Sequence, residues 1–82
     1  MIYVYAIKSK LRNYIYVGLT ADVERRVQRH NSGYERTTKP YAPFEIIYTE
    51  VFTTRQEARS REKHLKTTIG KRFLRTLLHN KE

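Results

Sequence analysis

The chain has no cysteine, and in a sequence of 82 residues this limits its possible folds more than any other feature. Disulfide staples, cysteine-held zinc and a cysteine nucleophile are all excluded, so side-chain packing alone has to hold the fold together. A chain this short buries only about 60–65% of the surface it exposes when unfolded, which leaves a small core. At roughly 100–200 residues per domain, residues 1–82 read as a single domain. Seven tyrosines and three phenylalanines supply much of the apolar material, and hydrophobic residues make up 39% of the chain.

Local patterning divides the chain into six elements. Ile2 to Lys8 alternates Ile2, Val4 and Ala6 with Tyr3, Tyr5 and Ile7, which is the signature of a strand. Tyr14 to Gly18 repeats the chemistry, and the polar stretch Ser9 to Asn13 is short enough for a hairpin loop. Thr20 is placed to cap a helix beginning at Ala21, with Asp22 and Glu24 in its first turn and Ser32-Gly33 at its end. Gly33 to Pro43 reads as a polar loop with two prolines, and Phe44 to Phe52 as a third strand. Thr54 and Glu57 form a capping box opening a second helix that runs to about Lys66. Ile69 and Gly70 punctuate the chain before a terminal helix with Phe73, Leu74, Leu77 and Leu78 on its apolar face. The order β-β-α-β-α-α defines an α+β fold, with helices covering one or both faces of the strands.

Charge points to the partner. Seventeen Lys plus Arg against eight Asp plus Glu give +9, an excess that favours a polyanion. Residues 1–53 carry +3 and residues 54–82 carry +6, so the last third is the stronger electrostatic footprint. Arg36, Lys39, Arg55, Arg59, Lys63, Lys71, Arg72 and Arg75, with Tyr41, are placed to follow a phosphate backbone. About half of these are expected to be simply solvated. Six neutralised phosphates would give a log–log salt slope of about −5 on duplex DNA. Nucleic acid is therefore the expected partner, DNA first and RNA second, and a small-molecule substrate is not expected.

Other classes fall away. Gly70-Lys71 has no glycine five residues before it and no strand leading in, so a P-loop fails, and three isolated glycines cannot make a dinucleotide fingerprint. His30, His64 and His79 lack metal-ligand spacing. Lys8, Lys10 and Arg12 follow the apolar start where a secretory signal has its charge first, and no apolar run is long enough for a membrane span. Cytoplasm is the expected location.

Two helices carry charge where core is expected. At about 100° per residue Val23 and Val27 define the buried stripe of the first helix, and Arg26 and His30 fall about 60° and 20° from Val23. Arg25 and Arg29 point to the opposite face. The ordinary alternative is a stripe edge, with Arg26 extending its head to water. On the second helix Glu62 lies about 40° from Ala58, on the side that Leu65 lines and that Ile69 would extend. Glutamate is rarely buried unpaired, and its ordinary alternative is a surface pair with Lys66 worth about 0.2–0.5 kcal/mol. Tyr3, Tyr5, Tyr14 and Tyr16 crowd the hairpin, where Tyr5 and Tyr16 are possible cross-strand partners and where aromatic pairs are ordinary stabilisers.

Tyr3-Val4-Tyr5, ten residues, then Tyr16-Val17-Gly18 resembles the paired motif of the GIY-YIG nuclease family, most nearly its small single-domain uncharacterised bacterial branch. Arg26, His30 and Glu62 fall where that family has its helix arginine, its histidine or tyrosine, and its metal-binding glutamate. The resemblance covers nearly the whole chain. It implies a three-stranded antiparallel sheet flanked by helices and metal-dependent hydrolysis of DNA phosphodiesters. Under that resemblance Glu62 holds one Mg²⁺ or Mn²⁺, Arg26 grips the phosphate, and Tyr5, Tyr16 or His30 serves as general base. Tyr3 replaces the first motif's glycine, and Leu19 stands where excision-repair relatives have a lysine. Asn80 and Asn31 are weaker candidates for the family's late asparagine. The chain lacks the appended domain that usually supplies sequence preference, so low specificity is expected. A non-catalytic nucleic-acid-binding module, recruited to a DNA-repair complex or otherwise, is the alternative.

Overall fold

Alternating β-branched and aromatic side chains carry β1 (Ile2–Ser9) and β2 (Ile15–Thr20) into an antiparallel hairpin in the computed structural model, which describes residues 1–79. Strand β3 (Phe44–Phe52) pairs antiparallel with the other side of β1, so one sheet runs in the order β2-β1-β3. Helices α1 (Val23–Asn31), α2 (Arg55–Leu65) and α3 (Thr68–His79) complete the β-β-α-β-α-α order expected from the sequence. Asn80 lies outside the described residues.

The alternation within β1 separates two cores. Val4 and Ala6 point to one face and join Val17, Ala58, Leu65 and Leu74 in an aliphatic cluster beneath α2 and α3. Tyr5 and Ile7 point to the other face and pack with Val27 and Phe44 beneath α1, with Tyr14, Tyr16 and Tyr41 around them. Helices therefore cover both faces of the sheet. Among the described residues no helix is long and apolar enough to cross a membrane.

The boundary between β2 and α1 differs from expectation, and the glycine end of α1 and the start of α2 do not. Strand β2 continues through Thr20, which pairs with Tyr3 and so cannot cap α1. Asp22 takes that role, its carboxylate accepting the Arg25 N–H at 3.1 Å, while Thr20 Oγ1 accepts the Asp22 N–H. At the far end Gly33 adopts φ +81°, a left-handed conformation suited to glycine just past a helix end. In the second helix the Thr54 hydroxyl caps the Glu57 N–H as the capping box requires.

Gly70 is no breaker. It lies in the first turn of α3, where a Cβ would sit 2.3 Å from the His64 carbonyl oxygen and 2.4 Å from Leu65 Cα. A bare backbone at this position lets α3 fold back tightly against the end of α2. Ile69, expected to extend the α2 stripe, instead belongs to α3 and is 71% exposed.

Candidate active site

The hairpin register sets the tyrosines. Tyr5 pairs with Gly18 and Tyr16 with Ile7, so the two tyrosines are diagonal neighbours on one face rather than direct partners. Their ring centroids are 6.3 Å apart. The Tyr5 ring passes over Gly18, where a Cβ would meet its hydroxyl at 2.8 Å. Glycine at this position therefore makes room for the Tyr5 hydroxyl rather than for a turn.

Helix α1 sets His30 and Arg26 against those rings. His30 is 1% exposed, not a residue of the stripe's edge, and its imidazole centroid lies 4.9 Å from Tyr16 and 5.9 Å from Tyr5. Its Nε2 is hydrogen-bonded to the Tyr5 hydroxyl at 2.8 Å and its Nδ1 to Thr38 Oγ1 at 2.8 Å. Burial lowers the His30 pKa below its ordinary 6.5, with the Arg26 charge acting in the same direction. The imidazole is thus neutral at pH 7. Burial also pushes the Tyr5 phenol up to about 12, against the opposing pull of the Arg26 guanidinium. Tyr5 accordingly keeps its proton at pH 7.

Arg26 is partly exposed and ion-paired to Glu35, with NH1 3.2 Å from Oε1, and Arg29 shares that carboxylate at 3.4 Å. The Arg26 Nε is buried without a hydrogen-bond partner. Arg25, Arg26 and Arg29 line one cavity of about 210 Å³ together with Thr20 and Asp22. Helical angle alone had assigned Arg25 and Arg29 to the opposite face. Long side chains swing across such angles, and Glu35 draws Arg29 back towards Arg26.

The structure brings Tyr5, Tyr16, Arg26 and His30 together on the α1 face. Glu62 lies on α2, whose Ala58 and Leu65 pack on the opposite face. Its side chain is only 17% exposed, and Oε2 is 3.2 Å from Lys66 Nζ, so the ordinary i,i+4 pair is present. Asn31 uses its amide to hold the start of β3, accepting the Phe44 N–H at 2.7 Å. Of the candidate backbone-binding residues, Arg36, Lys39, Arg55, Arg59, Lys63, Lys71 and Arg72 are exposed. Lys71, Arg72 and Arg75 line a second cavity with Thr68 on α3, a helix of the aliphatic face.

Two residues of this site escaped the sequence reading. Thr38, fully buried, and Glu35 belong to the loop after α1, which is tied down rather than loose. Ser9 Oγ donates to the Tyr41 carbonyl at 2.6 Å, Lys10 N–H donates to the Pro43 carbonyl, and Tyr14 stacks on Tyr41 with centroids 3.9 Å apart. Within the loop, the Thr38 N–H donates to the Glu35 carbonyl at 3.1 Å. Periodicity carries no signal for such contacts, because they depend on how the loop folds back.

This hairpin-and-helix arrangement has a counterpart in known proteins. A family model described as the GIY-YIG catalytic domain matches residues 1–75, and the chain belongs to that nuclease family. Within it, the chain is similar to UPF0213 proteins. The UPF0213 protein SSP2268 of Staphylococcus saprophyticus is 34% identical over 76 residues, covering 92% of each chain. The UPF0213 protein SH2523 of Staphylococcus haemolyticus is 41% identical over 66 residues, covering 79% of each. The solution NMR structure of the UPF0213 protein BH0048 from Bacillus halodurans superimposes with a TM-score of 0.55 at 33% identity, covering 94% of this chain and 85% of that one.

Proposed function

We propose that residues 1–82 act as one metal-dependent endonuclease unit that hydrolyses DNA phosphodiester bonds with low sequence specificity, in the cytoplasm. The observation that carries this reading is the buried hydrogen bond between Tyr5 and neutral His30, set beside Arg26 in a chain of a nuclease family. Arg26 offers donors to the scissile phosphate, with Arg25 and Arg29 supplying further positive charge in the same cavity. Tyr16, only half-buried, orients the attacking water.

A phenol pushed up to about 12 is a poor base by itself. Tyr5 can act by passing its proton on. As the water oxygen bonds to phosphorus, the water proton moves to the Tyr5 oxygen and the Tyr5 proton moves to His30 Nε2. The bond from phosphorus to the leaving oxygen breaks, and that oxygen takes a proton from solvent. His30 then returns its proton to solvent through Tyr5.

Glu62 is the residue that would hold Mg²⁺ or Mn²⁺. Among the described residues no three His, Cys, Asp or Glu side chains cluster as a metal-binding group. A single well-packed carboxylate fits a hard ion that retains most of its water and binds substrate phosphate as well. Bound there, the ion would polarise the phosphate. β2 is an edge strand, and α2 packs against it as well as against β1 and β3. A phosphodiester lying on that edge would be reached from both faces.

Cleavage assays on single-stranded, duplex and branched DNA with Mg²⁺ or Mn²⁺ test this reading. Glu62→Ala and Tyr5→Phe should each lose about 10²–10⁴-fold in rate, the usual worth of a charge-stabilising or proton-transferring group. Undiminished cleavage by Glu62→Ala would remove Glu62 from the site. A second reading is favoured by the Glu62–Lys66 pair, which occupies the carboxylate in this structure. In it the chain is a non-catalytic DNA- or RNA-binding module, recruited by a partner such as a DNA-repair complex. Salt-dependent binding without cleavage by any form of the protein would select that reading.

A further inference from the structure

We infer that Thr38 is a positioning residue whose hydroxyl holds His30 in the Nδ1–H tautomer and leaves the Nε2 lone pair aimed at the Tyr5 hydroxyl. The inference rests on the proton-transfer role proposed for Tyr5 and His30, but its geometry stands apart from any activity. Thr38, His30 and Tyr5 are each 1% exposed or less, so every polar hydrogen among them needs a protein acceptor. A hydroxyl has one proton to give. Thr38 Oγ1 lies 3.4 Å from the Glu35 carbonyl, which can only accept, so the Thr38 proton is directed there. Its lone pairs then face His30 Nδ1 at 2.8 Å, and the ring nitrogen is the donor of that pair.

The opposite end of the ring requires the same assignment. Tyr5 is a buried phenol that keeps its proton, and His30 Nε2, 2.8 Å away, is in place to accept it. The nearby Arg26 guanidinium has donors alone and cannot. In the other tautomer Nε2–H would point at the Tyr5 oxygen, and the Tyr5 proton would be left buried without an acceptor. Both ends agree. The ordered chain is Tyr5 O–H to His30 Nε2, His30 Nδ1–H to Thr38 Oγ1, and Thr38 O–H to the Glu35 carbonyl.

Thr38 touches neither substrate nor water in this scheme; it acts through His30. The main test is the tautomer of His30, read by long-range ¹⁵N–¹H NMR of wild type, Thr38→Val and Thr38→Ser at pH 7. Wild type and Thr38→Ser should show a protonated Nδ1 and an unprotonated Nε2, and Thr38→Val should shift towards the other tautomer. An Nε2–H ring in wild type would overturn the assignment, and an unchanged tautomer in Thr38→Val would overturn the positioning role of Thr38. In cleavage assays Thr38→Val should lose roughly 10- to 100-fold in kcat, part of the 10²–10⁴ that general-base catalysis supplies. Its KM for DNA should hold, and Thr38→Ser should restore the rate. Equal kcat in wild type and Thr38→Val would remove Thr38 from the reaction. If wild type cleaves nothing while the NMR pattern appears as expected, the nuclease reading falls and the tautomer assignment stands.

Discussion

The two faces of the sheet are built from different materials. Beneath α2 and α3 the core is aliphatic, from Val4, Ala6, Val17, Leu65 and Leu74. Beneath α1 it is aromatic and polar, with Tyr5, Phe44 and a buried histidine and threonine in contact. An aliphatic face gains free energy from every buried methylene and imposes few geometric demands. The α1 face buries polar groups that each need a partner, and so gives up adaptability for fixed directions. One side of β1 packs on aliphatic carbon and the other holds buried polar groups in fixed directions.

The largest expected effect tests the aliphatic side. Leu65→Ala, at a fully buried position, should cost about 2–5 kcal/mol in urea unfolding. At temperatures where the variant is folded, the His30 NMR signals should keep their wild-type positions. Displaced His30 signals would show the two faces to be coupled and break the comparison. Gly18→Ala probes the other side, since its methyl would press on the Tyr5 hydroxyl and Tyr16 ring. Overpacking there should cost about 1–3 kcal/mol and reduce cleavage along with stability, read by thermal melts and rate assays together.

A smaller effect follows from protons. Because burial holds His30 below its ordinary 6.5, the unfolded chain takes up that proton first as pH falls. The stability this confers is complete above about pH 6.5 and is lost as pH drops towards the lowered folded value. The slope is at most about 1.4 kcal/mol per pH unit. Urea melts between pH 5 and 7 should show it in wild type and not in His30→Gln; equal slopes would mean that His30 is not held neutral by burial. The smallest effect lies away from both cores. Thr54→Ala removes the cap of α2 and should cost about 1 kcal/mol without altering cleavage or the His30 titration.

Much of the fold was legible in the chain. Alternation in Ile2–Ile7 gave the strand and its two faces, the Thr54–Glu57 pair marked the start of α2, and Gly33 marked the end of α1. Errors arose where a residue had two local meanings. Thr20 is a good cap and a good strand residue, and pairing with Tyr3 decided for the strand. Gly70 reads as a breaker until the backbone of α2 is known to pass beside it. On α1, helical angle placed His30 in the buried stripe and Arg26 beside it, where the structure has them, and it left Arg25 and Arg29 exposed, but it could not show that Glu35 draws in Arg29.

The amino-acid sequence by itself determined the element order, the cap of α2 and the glycine end of α1, and it carried the resemblance of Tyr5, Tyr16, Arg26, His30 and Glu62 to a family pattern. These follow from spacings of a few residues, where backbone geometry repeats. The tertiary structure alone decided that Thr38 lies behind His30, that Glu35 gathers two arginines, and that Glu62 sits on a helix of the opposite face of the sheet. Each depends on a loop closing or a strand pairing, and no periodicity records where a loop comes to rest.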